Sequence, residues 1–199
     1  AHDGMIMVTE KDEFVYHDMI THVPLFTHPN PKNVLVIGGG DGGTVREVLR
    51  HPSVEKVTMV EIDGMVVEAC QKFIPQTSGQ LTNPKVKLLI QDGVKFMKES
   101  TEFFYVFRLF SAAPIVTATP LFNVDFYKDV AARLSDNGIV VSQGESPYYD
   151  IKMQKVLVKI LAEVFPKVHL YNYCNMSYPS GLWSFTYASK TLCPFKDFD

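Results

Sequence analysis

At 199 residues, 46% hydrophobic and 21% charged, the chain has the composition of one globular domain long enough to bury a sizeable core. Its 19 Lys and Arg against 22 Asp and Glu give a formal net charge of −3, which argues against a nucleic-acid-binding surface. No apolar run reaches the roughly 18 residues of a membrane-spanning helix.

The chain opens Ala1-His2-Asp3-Gly4, without the basic or apolar region of a secretory leader. Thr9 then stands as a helix cap with Asp12 in the first turn. The predicted helix runs to about Val23 and stops before Pro24. Pro29 and Pro31 form a stiff connector. Residues 1–31 therefore read as a lead-in with a helix, and residues 32–199 as the main domain.

From there strands and helices alternate. Strands are predicted at Asn33–Gly38, Lys56–Glu61, Val86–Gln91, Phe104–Phe110, Gly138–Gln143, Val168–Tyr173 and Leu182–Ala188. Helices are predicted at Thr44–His51, Gly64–Phe73, Gly93–Glu99, Val124–Leu134 and Ile151–Val164. Such alternation predicts a parallel α/β sheet covered on both faces. The segment from Asn175 to Gly181 is too short for a crossover helix, so the last two strands should pair antiparallel. This is the Rossmann-like arrangement of class I methyltransferase-type folds.

Three cysteines, Cys70, Cys174 and Cys193, show neither CxxC nor metal-ligand spacing. Each reads as a small buried apolar residue, and an odd count without a leader suggests reduced thiols in a cytoplasmic compartment. The six histidines are scattered and no HExxH occurs, so no zinc site is predicted.

The most telling stretch is Val34-Leu35-Val36-Ile37 followed by Gly38-Gly39-Gly40-Asp41-Gly42-Gly43. A second apolar run, Val57 to Val60, ends in Glu61 about 20 residues after the glycines, the spacing of a nucleotide-binding βαβ unit. Gly38, Gly40 and Gly42 let the backbone approach a ligand, and Glu61 is placed to accept from both ribose hydroxyls. Asp41 would repel a pyrophosphate, which argues against NAD and for a cationic group such as an ammonium or sulfonium. Asp63 suits a helix N-cap before Gly64. Asp92 with Gly93, at the third strand end, suits an adenine amino group, although Asp-Gly is also a common turn. The fourth strand end, Leu109 to Pro114, carries no acid, base or metal ligand. Tyr16-His17 reads as an exposed pair on the first helix, Tyr178 as a loop residue able to cover a pocket, and Trp183 and Phe185 as core or interface.

These residues resemble the spermidine synthase (polyamine aminopropyltransferase) family over nearly the whole chain. The resemblance rests on Asp3-Gly4, Thr9 to Phe14 with Tyr16-His17, the Gly38 to Gly43 turn, Glu61-Ile62-Asp63 and Asp92-Gly93. It continues in Leu121-Phe122, Phe126-Tyr127, Gln143-Gly144-Glu145-Ser146 and Tyr178 to Phe185. It implies transfer of an aminopropyl group from decarboxylated S-adenosylmethionine to putrescine, releasing methylthioadenosine, with no prosthetic group and no metal. By resemblance, Glu61 with Ile62 holds the ribose side and Asp92 with Gly93 the adenine. Asp41 and His17 face the amino groups, and Tyr16, Gln143 and Tyr178 line the amine channel. The family's small N-terminal β-stranded domain and usual C-terminus lie outside these residues, and homodimers or homotetramers are its usual assemblies.

One segment departs from the family. Its fourth strand normally ends Asp-Ser-Ser/Thr-Asp-Pro, whereas this chain reads Phe110-Ser111-Ala112-Ala113-Pro114. Phe110 stands where the general base Asp is expected and Ala113 where the amine-binding Asp is expected. Tyr105 and Arg108 also replace typical residues. A general base contributes on the order of 10²–10⁴ in rate, so transfer by this chain is expected to be weak or absent. The alternatives are an inactive or repurposed module binding a nucleoside or a partner through the apolar 107–116 surface, and an S-adenosylmethionine-dependent methyltransferase.

Overall fold

The computed structural model describes Gly4, residues 6–109 and residues 123–198. Phe110 and Ala113 lie outside the described residues. In chain order the elements are α1 (Glu13–Thr27), β1 (Asn33–Ile37), α2 (Gly43–Val48), β2 (Lys56–Glu61), α3 (Gly64–Phe73) and α4 (Pro75–Ser78), which runs into a 3₁₀ turn (Gly79–Thr82). There follow β3 (Val86–Ile90), α5 (Gly93–Glu99), β4 (Phe104–Leu109), α6 (Val124–Arg133), β5 (Leu134–Gln143), α7 (Ile151–Val164), β6 (Lys167–Cys174) and β7 (Leu182–Ser189).

The seven strands form one sheet in the order β3-β2-β1-β4-β5-β7-β6. The first five are parallel, and β7 pairs antiparallel with both β5 and β6. The expected α/β sheet with a closing antiparallel hairpin is thus what the chain forms. Alternation along β1 explains its continuous apolar run. Leu35 and Ile37 point to the side packed by Phe126, Val130, Leu157 and Leu161, while Val34 and Val36 point to the side packed by Val45, Val48 and Val67. A third cluster seats α1 on the sheet, with Tyr16 and Ile20 against Ile139, Val141, Phe185 and Tyr187.

Several helices begin where the sequence carries a cap. Asp63 accepts from the Met65 amide at 2.9 Å, Asp92 from Val94 at 2.7 Å and Asp150 from Met153 at 3.1 Å, satisfying amides that have no partner within the helix.

Several boundaries differ from expectation, among them the start of α1, which begins at Glu13 with Asp12 rather than Thr9 at its N-cap position. Helix α1 does not stop before Pro24 but continues to Thr27. The ring removes one amide, yet Thr27 Oγ1 donates to the Val23 carbonyl at 2.7 Å and the His28 amide to the Pro24 carbonyl at 3.0 Å, closing the last turn. Helix α2 starts at Gly43 and ends at Val48, short of His51. Strand β5 starts at Leu134, four residues before Gly138, because Phe104 pairs with Leu134 ahead of a register shift. The short helix α4 was not expected, although Pro75 at its first turn is a start signal.

The cysteines also need correction: Cys174 is exposed and Cys70 and Cys193 are only half-buried. Among the described residues no helix is long and apolar enough to cross a membrane.

Candidate active site

In an open α/β sheet, ligands bind outside the carboxyl ends of the parallel strands, where the strand order reverses. Here that point lies between β1 and β4. The carboxyl ends of β1, β2, β3 and β5 carry Gly38, Glu61, Gln91-Asp92 and Gln143, so the predicted site residues share one edge of the sheet.

The chain leaves β1 through a glycine turn. Gly38 and Gly42 have φ of 77° and 80°, a region that L side chains rarely adopt. Gly40 is required for a different reason. A Cβ there would lie 2.9 Å from Val66 Cγ1 and 3.2 Å from Glu61 Oε2, so the turn can press against Glu61 only as glycine.

Glu61 is buried and held by backbone. Its Oε2 accepts from the Gly40 amide and its Oε1 from the Asp63 amide, both at 3.0 Å. Burial pushes its carboxyl above the usual carboxylate range, while the amides of Asp63, Ile62 and Gly40 pull it back. Ile62 and Ile90 are exposed beside it, at 68% and 52%, leaving apolar surface next to the acid. Asp92 caps α5 through Oδ1 alone, which leaves Oδ2 for another donor. Gly93 packs so closely that a Cβ would lie 2.5 Å from Ile37 Cγ2.

On the other side of the glycine turn, Asp41 Oδ1 accepts from the Gly43 amide at 2.8 Å and lies 3.0 Å from His17 Nε2. The His17 Nδ1 is 2.5 Å from Glu13 Oε2. Arg46 closes the array, donating to both Glu13 oxygens at 2.8 and 3.0 Å and to Glu47 at 2.7 Å. Burial disfavours the Glu13 charge, but hydrogen bonds and charge from His17 and Arg46 win and hold its carboxyl at about 2. Tyr16 and His17 were expected to be exposed; both are 2% exposed, so α1 turns this pair inward against the sheet.

Tyr16, His17, Asp41 and Tyr178 line one small cavity with Met7 and Asn175. The Tyr178 hydroxyl donates to the Met7 carbonyl at 2.9 Å, and its ring meets Tyr16 edge-on at 6.2 Å. The Tyr16 hydroxyl donates to Gln143 Oε1 at 3.4 Å. Positive φ at Ser180 and Gly181 forms the turn that brings Tyr178 back over the cavity. Phe185 is fully buried in the core, and Trp183 packs edge-on against Tyr178 at 5.2 Å.

Four participants carried no assigned role in the sequence. Glu13 and Arg46 belong to segments 33 residues apart, and no motif links them. Glu145 has φ of 66°, is 3% exposed, and its Oε1 has no hydrogen-bond partner among the described residues. Burial, with Asp150 nearby, pushes its carboxyl up to about 7. The Tyr173 hydroxyl, also buried without a hydrogen-bond partner among the described residues, feels both Glu145 and Tyr16.

Comparison with known proteins identifies the family. The family profile described as spermine/spermidine synthase domain matches residues 13–197. The polyamine aminopropyltransferase of Bacillus cytotoxicus is 47% identical over 194 residues, covering 98% of this chain and 70% of that protein. The polyamine aminopropyltransferase of Methanocaldococcus jannaschii is 48% identical over 195 residues, covering 98% of this chain and 67% of that protein. A crystal structure of a spermidine synthase with the transition-state analogue AdoDATO superposes with a TM-score of 0.96 at 44% identity, over 99% of this chain and 68% of that one. The spermidine synthase of Thermotoga maritima gives a TM-score of 0.93 at 44% identity, over 99% of this chain and 67% of that one. By sequence and by structure, this chain belongs to the spermine/spermidine synthase family of aminopropyltransferases.

Proposed function

We propose that this chain binds decarboxylated S-adenosylmethionine and its product methylthioadenosine, retains part of an amine site, and transfers the aminopropyl group to putrescine only weakly or not at all. The observation that carries the nucleoside half is Glu61, buried and held by two backbone amides beside the glycine turn. In this reading its carboxylate takes the ribose hydroxyls, Asp92 Oδ2 takes the adenine amino group, and the exposed Ile62 meets the base face. That a solved relative, 44% identical, is complexed with the transition-state analogue AdoDATO supports a ligand of this class.

The amine half begins at Asp41. A sulfonium makes methylthioadenosine a good leaving group, so the enzyme's task is to align an amine for in-line attack. The amine nitrogen forms a bond to the propyl carbon attached to sulfur. The carbon–sulfur bond breaks, its electron pair leaves with methylthioadenosine, and the attacking nitrogen loses a proton. Asp41 stabilises an ammonium. His17 acts through it as a positioning residue, because its ring nitrogens are turned to Glu13 and Asp41. Tyr16, Gln143 and Tyr178 wall the channel. The proton acceptor is what the chain lacks, since Phe110 and Ala113 occupy the positions of the family's two acids.

A titration of wild type and Glu61→Gln with methylthioadenosine tests the nucleoside assignment. Hydrogen bonds to a charged group are worth about 1.5–3 kcal/mol, so the variant should bind at least about tenfold more weakly. Equal affinity in the two proteins would remove Glu61 from the site. The methyltransferase reading shares Glu61 and Asp92 but leaves Tyr16, His17 and Tyr178 around Asp41 without a purpose.

A further inference from the structure

We propose that Asp18, His22 and Glu47 form a binding site for a divalent transition-metal ion, with Zn²⁺ as the best fit, on the face where α1 meets α2. The three residues offer ligand atoms that all lie within 4.8 Å of one another. Asp18 and His22 sit one turn apart on α1, and Glu47 reaches them from α2. His22 Nε2 lies 3.6 Å from Asp18 Oδ1 and 3.1 Å from Glu47 Oε2. Bonds of about 2.0–2.1 Å in a tetrahedral zinc site put neighbouring ligand atoms about 3.3 Å apart, so these separations already suit a cation at their centre.

A second observation points the same way. The other ring nitrogen of His22, Nδ1, is 2.9 Å from His51 Nε2. A metal-binding histidine commonly uses its second nitrogen in this manner, donating it to a fixed acceptor that holds the ring. With the His22 proton on Nδ1 and His51 accepting it, the Nε2 lone pair faces the two carboxylates.

Charge explains how the face is built without a metal. Arg50 Nη1 is 2.6 Å from Glu47 Oε2, the same oxygen that faces His22, whereas Arg46 holds Oε1. The Arg50 side chain is 65% exposed, so it can swing away and give up its place to another cation. One imidazole and two carboxylates favour Zn²⁺ or a neighbouring transition ion over Mg²⁺, which prefers oxygen ligands alone. Water would complete the coordination. The sequence hides this site because its ligands come from an i, i+4 pair and a residue 25 positions further along.

The test is equilibrium dialysis of the full chain with Zn²⁺, and with Co²⁺ as a coloured stand-in. Wild type should bind one ion per chain. His22→Ala and Asp18→Asn should each weaken it about tenfold or more, and Arg50→Ala should tighten it by removing the resident cation. Circular dichroism identifies any variant that fails to fold, and the other surface variant then carries the test. Absence of binding below about 100 µM Zn²⁺ overturns the proposal. So does binding unchanged in both His22→Ala and Asp18→Asn, which would place the ion elsewhere, for instance on the free thiols. Neither result bears on Glu61 or on methylthioadenosine binding.

Discussion

His17 Nε2 lies 3.0 Å from Asp41 Oδ1, and this contact ties the first helix to the glycine turn. The ring's other nitrogen engages Glu13, so one imidazole spans two buried carboxylates. Arg46 supplies further balancing charge.

The Glu13 carboxyl, held at about 2 by His17 and Arg46 against burial, links this array to stability. A carboxyl depressed in the folded state contributes stability that is fully present above its unfolded value of 4.5 and lost as pH falls toward about 2. Urea unfolding of wild type and Glu13→Gln should therefore show wild type more stable near neutrality. That advantage should shrink between about pH 4.5 and 2. A difference that stays constant over this range would mean that Glu13 contributes by packing and not by charge.

The glycine after the turn gives a steric test. A Cβ on Gly43 would run into the His17 ring, while a Cβ on Gly79 meets nothing within 4 Å. Overfilling a packed site costs about 1–3 kcal/mol, so Gly43→Ala should lower the urea midpoint accordingly. Gly79→Ala should stay within about 0.5 kcal/mol of wild type. Equal midpoints for the two variants would show that His17 is free to yield.

Much of this was legible in the residues. Strand β2 and helices α3, α5 and α7 fall where expected, since Asp63, Asp92 and Asp150 announce their own helix starts. The glycine turn and Glu61 were legible because strand, turn, helix and acid follow one another along the chain. The Glu13–His17–Asp41 array was not, because its hydrogen bonds depend on how α1 lies across α2. The continuation of α1 past Pro24 was hidden for a similar reason: a side-chain hydroxyl and a tertiary seat offset the missing amide. Glu145 carried no local signal of its strained backbone or its buried, unpartnered oxygen.

That acid has its own pH signature. Burial, with Asp150 nearby, raises Glu145 to about 7, so the folded protein holds its proton more tightly than the unfolded chain does. Its stabilising effect is complete below the unfolded value of 4.5 and is lost as pH rises toward about 7. Glu145→Gln removes the titration. The variant should gain on wild type between about pH 4.5 and 7 and be more stable by roughly 1–3 kcal/mol at pH 8, measured by urea midpoint. No change in the difference across that range would show that Glu145 is solvated or paired in solution.

The substituted strand end predicts a gain of function. Phe110→Asp with Ala113→Asp returns the two acids that the family uses, one as base and one on the amine. Aminopropyl transfer from decarboxylated S-adenosylmethionine to putrescine should rise by on the order of 10²–10⁴ over wild type. An unchanged rate in a folded double variant would mean that those positions do not face the amine.

The most direct test of the account uses a single sample. The protein is titrated with methylthioadenosine by calorimetry and then assayed with decarboxylated S-adenosylmethionine and putrescine. Saturable binding near one site per chain, with transfer at least about 100-fold below that of the double variant, is the predicted result. Transfer as fast as that variant's would contradict the loss of the proton acceptor, and absence of methylthioadenosine binding would contradict the nucleoside site at Glu61 and Asp92.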